Sequence, residues 1–322
     1  MKRVLSGVQP SGKAHLGNYL GAIRQHVEMQ YEFDTFLFIA DLHALTTVKD
    51  PEKMRSQTYE LAVSYLALGL DPDKTVFFKQ SDLSEHAELC WIFDCITHMP
   101  FLERAHAWKD AKAKGKKEVT VGLFNYPVLQ AADILLYQPD LVPVGQDQKQ
   151  HIEMTRDIAK SFNNLFGDTF KIPESLIKKE VAVVPGIDGQ KMSKSYENTI
   201  DIFAPEDKLK KQVMSIITSS IPLEDPKDPK NCNVFQIYKL LATDKETAYL
   251  EKKYLAGGFG YGEAKNLLLA KILETFGPAR KKYQEIFPQK DYIKEILEEG
   301  AKKAKETSSK TLKEVKKKVG YL

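Results

Sequence analysis

The residues best suited to chemistry lie in two glycine-bearing segments far apart in the chain. His15 and Asn18 stand where a helical pattern begins, shortly after the glycine of residues 9–12. A helix N-terminus attracts anions through its amides and its dipole, and both side chains add hydrogen-bond donors for phosphate oxygens. Alone, this segment fits an ordinary βα loop with a polar cap equally well, because glycine loops are common.

The second segment, residues 186–195, is a glycine-flanked loop with two lysines and two serines. Lysine carries a mobile point charge that suits a phosphate in motion. The flanking glycines would let the loop open and close over a ligand. A solvated basic turn is the simpler explanation, but the run Lys-Met-Ser-Lys-Ser is a specific string. Together, the two segments predict a site for a phosphate-bearing ligand.

A polar stripe marks a third candidate site. Tyr126, Gln130 and Asp133 have the spacing i, i+4 and i+7, which places them on one face of a helix that is otherwise apolar. Buried polar groups without partners cost several kcal/mol, roughly, so these three either satisfy one another and the backbone or face a ligand. His43 follows a predicted strand and either lines the same pocket or has a structural role.

The pattern of elements indicates how these residues are positioned. Short apolar strands at residues 4–5, 36–40, 75–79 and 141–145 alternate with helical patterns. This predicts an α/β fold with a doubly wound parallel sheet, whose ligands bind beyond the carboxyl ends of the strands. After residue 200 only helices are predicted. We therefore expect a Rossmann-like catalytic domain at residues 1–198 and an all-helical domain at residues 199–322.

Composition excludes several classes of protein. The chain has 322 residues, 43% hydrophobic, and its net charge of +3 is too small for a general nucleic-acid binder. Three cysteines without a CxxC pair indicate a reducing compartment and no disulfide framework. No secretory segment follows Met1, and the apolar run at residues 36–40 is too short to cross a bilayer. These features predict a cytoplasmic protein without a membrane anchor.

The two chemical segments resemble the paired signatures of class I aminoacyl-tRNA synthetases, usually written HIGH and KMSKS. His15-Leu16-Gly17-Asn18 is similar to the first, with asparagine in the fourth position, and residues 191–195 match the second. Residues 9–12, 17–22 and 143–148 look like the tryptophanyl-tRNA synthetase branch of bacterial type in particular. The resemblance covers essentially the whole chain and implies that the helical domain binds the anticodon.

The resemblance implies an ATP site built from both signatures and from the segment after the fourth predicted strand. Catalytic roles would fall to His15, Asn18, Lys191 and Lys194. ATP contacts are expected from Gln9, Pro10, Ser11, Gly17, Asn18, Gly145, Gln146, Asp147, Lys191, Met192, Ser193, Lys194 and Ser195. By a looser alignment Val183 contacts adenine. Lys112 is a further candidate for the phosphates, in a stretch where the family pattern varies.

The resemblance also turns the polar stripe into an amino-acid pocket. Tyr126 and Gln130, with Gln148 nearby, would hold the α-ammonium group, and Asp133 would accept a hydrogen bond from the substrate side chain. Tyrosine enzymes of the same subclass use a similar arrangement. An indole N–H only donates, whereas a phenol donates and accepts, so Asp133 suits either substrate. The choice of L-tryptophan rests on the flanking motifs, and tyrosine stays the alternative.

The implied reaction has two steps. The carboxylate of tryptophan attacks the α-phosphorus of ATP and releases pyrophosphate, and a ribose hydroxyl at the 3′ end of tRNA(Trp) then takes the aminoacyl group and releases AMP. The first step needs no protein nucleophile, because the carboxylate is ionised at pH 7. The protein must instead align the reactants and stabilise charge on the phosphates, with Mg²⁺ bridging their oxygens.

The resemblance also implies a homodimer, which is the commonest oligomer on general grounds. Some relatives hold an iron–sulfur cluster on four cysteines of the helical domain. Here Cys232 lies in a comparable place, but residues 254–265 contain no cysteine, so we expect neither a cluster nor another metal bound by protein ligands. The lysine-rich stretch at residues 302–318 fits a solvated helix face better than a dedicated RNA patch.

Two rival interpretations remain from the sequence. A small adenylyltransferase of the same superfamily would share the first signature but would need neither the polar stripe nor a long helical domain. A non-catalytic, synthetase-like RNA-binding protein would be expected to have lost a signature residue, and both signatures are present apart from Asn18.

Overall fold

The fold is built on a five-stranded parallel sheet. The structure is a computed structural model and describes residues 1–105, 108–109, 119–145, 149–176 and 183–322. The strands are β1 (Arg3–Val8), β2 (Asp34–Ile39), β3 (Thr75–Lys79), β4 (Leu141–Pro143) and β5 (Glu174–Leu176). Their order is β3-β2-β1-β4-β5, and every pair is parallel. The predicted α/β fold with a doubly wound sheet is confirmed.

Buried residues on both faces explain why these strands form a central sheet. Along β2, Phe36 and Phe38 point to one face and Leu37 and Ile39 to the other, and all four are at most 4% exposed. One apolar cluster lies on each face. Strands buried on both sides read as continuous apolar runs, which is why the sequence located β1 to β4.

Helices cover both faces of the sheet. The first is continuous from α1 (Leu16–Asn18) through a π-helical turn (Tyr19–Ile23) into α2 (Arg24–Met29). Then follow α3 (Asp41–Ala44), α4 (Pro51–Ala67), α5 (Glu85–Asp94), α6 (Met99–Leu102), α7 (Val121–Leu135) and α8 (Lys149–Phe166). Asp50 caps α4 and Thr120 caps α7 through their side chains, which explains where these two helices begin.

Beyond residue 200 the described chain is helical, as predicted. The helices are α9 (Glu206–Met214), α10 (Asn233–Leu241), α11 (Asp244–Ala256), α12 (Tyr261–Ile286) and α13 (Lys290–Lys318). Arg280 of α12 donates hydrogen bonds to the carbonyls of Ile202 and Ala204, which ties this helix to the start of the helical part. None of the helices in the described ranges is long and apolar enough to cross a membrane.

The last helix returns to the sheet. Gly300 of α13 lies directly against the backbone of Phe77 in β3, and Ser309 donates a hydrogen bond of 2.8 Å to Glu85 of α5. Lys316 forms an ion pair with Glu88 of α5. By its contacts, α13 therefore belongs to the layer that covers β3. The division of the chain at residues 198 and 199 stays a prediction.

The close approach of α13 to β3 generates a prediction for stability. A Cβ atom at Gly300 would lie 1.8 Å from the carbonyl oxygen of Phe77, so Gly300→Ala must push the helix off the strand. We expect Gly300→Ala to destabilise the protein by about 3 kcal/mol, and to lower its melting temperature by roughly 5 °C or more. Thermal unfolding measures this shift.

Gly262→Ala is the matched control, because Gly262 also lies inside a helix, α12, but a Cβ there meets no atom beyond its chain neighbours within 4 Å. This control should be neutral or stabilising by about 0.5–1 kcal/mol, since alanine has the higher helix propensity. Equal melting temperatures for the two variants would contradict the packing described here.

Candidate active site at the carboxyl ends of the strands

The first chemical segment forms the entrance to α1. Residues 9–15 follow the carboxyl end of β1, and His15 is the N-cap of the helix. The Nδ1 atom of His15 accepts from the backbone N–H of Asn18, and the Asn18 side-chain oxygen accepts from the backbone N–H of His15, each at 3.3 Å. This reciprocal capping box fixes both signature side chains at the helix N-terminus.

The electrostatics of His15 favour a neutral ring. Burial, together with the nearby positive charge of Lys194, lowers the pKa of His15 to about 4. At neutral pH the ring therefore carries one proton. Because Nδ1 accepts from Asn18, that proton lies on Nε2, and His15 can present an N–H donor to a ligand while it caps the helix.

The second chemical segment docks on the first. The backbone N–H of Leu16 donates to the carbonyl of Ile200 at 2.9 Å, and the backbone N–H of Gly17 donates to the sulfur of Met192 at 3.2 Å. The Met192 side chain is 5% exposed and belongs to the same apolar cluster as Leu16. The two predicted signatures thus meet in one place.

The lysine loop, which we define as residues 186–195, is held in shape by Asn198. Asn198 is 1% exposed; its oxygen accepts from the backbone N–H of Ser193 at 2.7 Å, and its amide donates to Asp188 at 2.7 Å and to the carbonyl of Lys191 at 3.1 Å. Sequence reasoning missed this residue. An asparagine three positions after the signature gave no recognisable signal.

Lys194 reaches from the lysine loop to the first segment. Its ammonium group donates to the carbonyls of Ser11 and Lys13, the latter at 2.7 Å. Partial burial of this ammonium lowers the pKa of Lys194, although Asp201 and Glu60 act in the opposite direction. The ammonium group of Lys194 therefore lies directly beside the loop that precedes His15, where a positive charge can attract an anionic ligand.

A cavity of about 410 Å³ opens at the carboxyl end of β1, where the first segment begins with Gln9. Its walls come from β1, from the end of β4 and from α7, and they include Gln9, His43, Tyr126, Gln130, Asp133 and Gly145. The volume lies within the range of about 300–1,000 Å³ that is usual for small-molecule sites. The predicted polar stripe therefore faces a cavity, at the edge of the sheet where ligands of such folds bind.

Asp133 is the most constrained side chain of the cavity wall. The residue is 1% exposed, and its carboxylate accepts hydrogen bonds from His43 Nε2 at 2.8 Å, His86 Nδ1 at 2.7 Å and Gln80 Nε2 at 2.7 Å. Burial raises the pKa of Asp133, but the bonds from both histidines outweigh it and hold this pKa at about 2. Asp133 is thus a fixed, ionised acceptor.

The partners of Asp133 extend the network away from the cavity. His86 Nε2 lies 2.9 Å from the hydroxyl of Tyr137, which can donate to it while His86 Nδ1 donates to Asp133. Both residues are fully buried. Sequence reasoning missed Gln80 and His86. Gln80 directly follows β3, and a position at the carboxyl end of a parallel strand is a signal that would have identified it.

Tyr126 and Gln130 are the remaining stripe residues, and Tyr126 contacts α8. The hydroxyl of Tyr126 is 2.7 Å from His151 Nε2, and Gln130 is half-buried on the cavity wall. Among the other predicted contacts, Pro10 is buried, whereas Gln9, Gly145, Val183, Lys191 and Ser195 are exposed. Gln146, Asp147, Gln148 and Lys112 lie outside the described residues. The roles assigned to all these residues stay predictions.

Metal binding is not supported by a protein ligand set in the described ranges. They contain no group of three or more histidine, cysteine, aspartate and glutamate side chains arranged to hold a metal ion. Cys232 is buried, and its sulfur lies 3.3 Å from the hydroxyl of Tyr254. The expected absence of an iron–sulfur cluster and the expected use of Mg²⁺ with ATP both remain predictions.

Comparison with known proteins identifies similar chains. Residues 1–277 match the model of the family described as tRNA synthetases class I (W and Y). The chain is 53% identical to the tryptophan–tRNA ligase of Fusobacterium nucleatum, with 100% of this chain and 99% of that protein covered. It is 50% identical to the corresponding ligase of Rhodopirellula baltica, with 99% of each covered.

Among solved structures, the chain resembles tryptophanyl-tRNA synthetase from Campylobacter jejuni in complex with ADP and tryptophan. The two are 49% identical, the TM-score is 0.93, and 99% of each chain is covered. The synthetase from Mycoplasma pneumoniae is 31% identical with a TM-score of 0.80, over 99% of this chain and 98% of that one.

The lowered pKa of His15 predicts how the stability of the folded protein depends on pH. Its pKa falls from an ordinary 6.5 to about 4 on folding, so the unfolded chain takes up the proton first as the pH falls. The folded state should therefore lose about 3 kcal/mol between pH 7.5 and pH 4 on account of this one residue. Stability conferred by the neutral ring is fully present above pH 6.5.

Denaturant unfolding of wild type and His15→Asn at both pH values measures this loss. Asparagine keeps a capping oxygen but does not titrate. Relative to His15→Asn, the free energy of unfolding of the wild type should therefore be about 3 kcal/mol lower at pH 4 than at pH 7.5. His98→Asn, at an exposed position, controls for general effects of histidine removal. A gap that does not change with pH would contradict the buried, neutral His15.

Proposed function

The chain belongs to the class I tRNA synthetases for tryptophan and tyrosine, among the tryptophan–tRNA ligases, and we propose that it joins L-tryptophan to tRNA(Trp) at the expense of ATP. The reaction would proceed through tryptophanyl-adenylate and release pyrophosphate and AMP. The C. jejuni relative was crystallised with ADP and tryptophan, and its similarity over the whole chain supports ATP and tryptophan as substrates here.

One observation carries the proposal for this chain's own site. The cavity with Asp133 on its wall opens at the carboxyl end of β1, and residues 9–15 lead from there to the helix start on which the lysine loop docks. An amino acid bound in the cavity would therefore present its carboxylate toward a triphosphate held by the two segments. Such alignment replaces two diffusing reactants with one bound pair, which is a large part of what catalysis of this reaction requires.

In the first step the protein supplies charge and orientation. We assign to the neutral His15 the donation of its Nε2–H to a phosphate oxygen, with Asn18 beside it at the helix N-terminus. Lys191 and Lys194 would balance the negative charge that develops on departing pyrophosphate. For this, the ammonium of Lys194 must exchange the carbonyls of Ser11 and Lys13 for phosphate oxygens.

Recognition of the side chain would fall to Asp133. Its ionised carboxylate offers about four acceptor positions, of which His43, His86 and Gln80 occupy three. The remaining acceptor position of Asp133 can take a hydrogen bond from the substrate, and the indole N–H of tryptophan is such a donor. Tyr126, Gln130 and Gln148 would hold the α-ammonium group, and the ATP contacts expected from the sequence are part of the same proposal.

The second step requires tRNA(Trp), and the helical part of the chain, residues 199–322, is proposed to read its anticodon. A homodimer, a cytoplasmic location and Mg²⁺ bound through the phosphates of ATP complete the proposal. The rival of a non-catalytic RNA-binding protein is disfavoured because His15, Lys191 and Lys194 are all present and the segments that carry them are docked together. An adenylyltransferase is disfavoured by the family membership.

Tryptophan-dependent exchange of pyrophosphate into ATP tests the proposed function. The purified protein should catalyse this exchange with L-tryptophan and Mg²⁺, and less efficiently with L-tyrosine, because its relatives are tryptophan–tRNA ligases. L-phenylalanine should be rejected by about 10⁴-fold, because its ring has no donor for Asp133. Exchange supported by tyrosine and not by tryptophan would refute the substrate assignment. The absence of exchange with either amino acid would favour a non-catalytic protein.

The lysine loop makes a separate kinetic prediction. Lys194→Ala should lower kcat for exchange by about tenfold or more while the KM for tryptophan changes little, because a loss confined to kcat marks an interaction made in the transition state. Lys208→Ala, at an exposed position of α9, is the control and should leave both parameters unchanged. If Lys194→Ala changed only the KM for tryptophan, the loop would have been assigned to the wrong substrate.

A further inference from the structure

The backbone turn that receives Lys194 is itself held by helix α4. We name residues 11–13 the docking turn, because the carbonyls of Ser11 and Lys13 accept from the Lys194 ammonium. The backbone N–H of Lys13 donates to Glu60 Oε2 at 3.2 Å. Glu60 is half-buried and lies inside α4, so its carboxylate joins this helix to the docking turn.

A second residue of α4 holds the next backbone amide. Ser64 is fully buried, one helical turn after Glu60, and its hydroxyl oxygen accepts from the backbone N–H of Ala14 at 3.3 Å. The same hydroxyl donates to the carbonyl of Glu60 at 2.7 Å. Two consecutive amides, those of Lys13 and Ala14, are therefore satisfied by one helix. These bonds fix the orientation of the turn that Lys194 contacts.

Gly12 lets the carboxylate and the ammonium approach the docking turn together. Its φ of +76° lies in the region that favours glycine. A Cβ atom at Gly12 would lie 2.9 Å from Glu60 Oε2 and 3.5 Å from Lys194 Nζ. The two charged groups are therefore close to the same point. Opposite charges at such a separation attract each other even when solvent partly screens them.

The charge of Glu60 acts on the ammonium of Lys194. Burial lowers the pKa of Lys194, and the carboxylates of Asp201 and Glu60 oppose this effect by favouring the charged ammonium. Glu60 differs from Asp201 because it also accepts a hydrogen bond from the docking turn. One side chain thus combines a structural bond to the turn with an attraction on the lysine that the turn receives.

We propose that Glu60 is a positioning residue for Lys194, which fixes the docking turn through its hydrogen bond and holds the ammonium there through its charge until a triphosphate competes for it. The inference rests on the proposed function, because it takes ATP as the ligand that Lys194 must reach. The phosphates must then outcompete the carboxylate as well as the two carbonyls, so Glu60 determines how readily Lys194 is transferred to ATP.

Glu60→Gln separates the charge from the hydrogen bond. The amide oxygen of glutamine still accepts from the Lys13 N–H, but the attraction on the ammonium is lost. The kcat/KM for ATP in tryptophan-dependent exchange should therefore rise about threefold or more. Glu52→Gln, at an exposed glutamate of the same helix, is the matched control and should leave kcat/KM unchanged. A correctly folded Glu60→Gln with the wild-type kcat/KM would overturn the proposal.

Glu60→Ala removes the charge and the acceptor together. The docking turn then loses its bond to α4, and the segment that leads to His15 is less well positioned. We expect kcat/KM for ATP to fall about threefold or more below the wild type, in contrast to its rise in Glu60→Gln. Thermal unfolding verifies the fold of both variants. A fall in both would mark Glu60 as a structural contact alone and would overturn the proposal.

A double-mutant cycle with Lys194→Ala tests whether the charge of Glu60 acts through the lysine. Once Lys194 is alanine, Glu60→Gln should no longer raise kcat/KM for ATP, because no ammonium remains to be held. An equal rise with and without Lys194 would show that Glu60 repels the phosphates directly, and this outcome would also overturn the proposal.

The same assays separate this proposal from the proposed function. Exchange missing from the wild type would refute the synthetase assignment itself. Exchange present in the wild type, together with equal kcat/KM values for ATP in Glu60→Gln and Glu52→Gln, would refute only the role of Glu60.

Discussion

The docking of the lysine loop on the start of α1 is the contact on which the proposed chemistry depends. The backbone N–H of Gly17 donates to Met192 in the loop, 175 residues further along the chain, and the backbone N–H of Leu16 donates to Ile200 shortly after the loop. The Met192 side chain at this contact is buried in the same apolar cluster as Leu16. Without this contact, His15 and Lys194 would belong to separate parts of the chain, and neither segment alone would distinguish a nucleotide site from an ordinary polar loop.

Two buried ionisable groups have different roles because His15 is neutral and Asp133 is ionised at neutral pH. Burial keeps His15 neutral, so that it donates a hydrogen bond without adding charge. Hydrogen bonds keep Asp133 ionised in spite of burial, so that it accepts from a donor and cannot itself donate. The environment of each group, rather than its residue type, sets its role. The same side chains on a solvated surface would titrate near their ordinary values and offer less discrimination.

Much of the fold could be predicted from the sequence because local residue patterns indicate its strands and helices. Strands β1 to β4 are apolar runs, and α7 carries the spacing that aligns Tyr126 and Asp133 on one face. Strand β5 was missed because its three residues are exposed or half-buried and show no apolar run. His86 and Asn198 were missed because tertiary contacts define their partners, which local patterns do not encode, whereas the position of Gln80 at the carboxyl end of β3 was a signal that could have identified it.

The central claim is that the two docked segments form a single triphosphate site beside the amino-acid cavity. A crystal structure of this protein with an unreactive ATP analogue and L-tryptophan tests it most directly. The account predicts a triphosphate within hydrogen-bond distance of both His15 Nε2 and the ammonium of Lys194, with Lys194 moved off the carbonyls of Ser11 and Lys13, and the indole N–H on Asp133. A triphosphate bound by only one of the segments, with Lys194 still on those carbonyls, would contradict it.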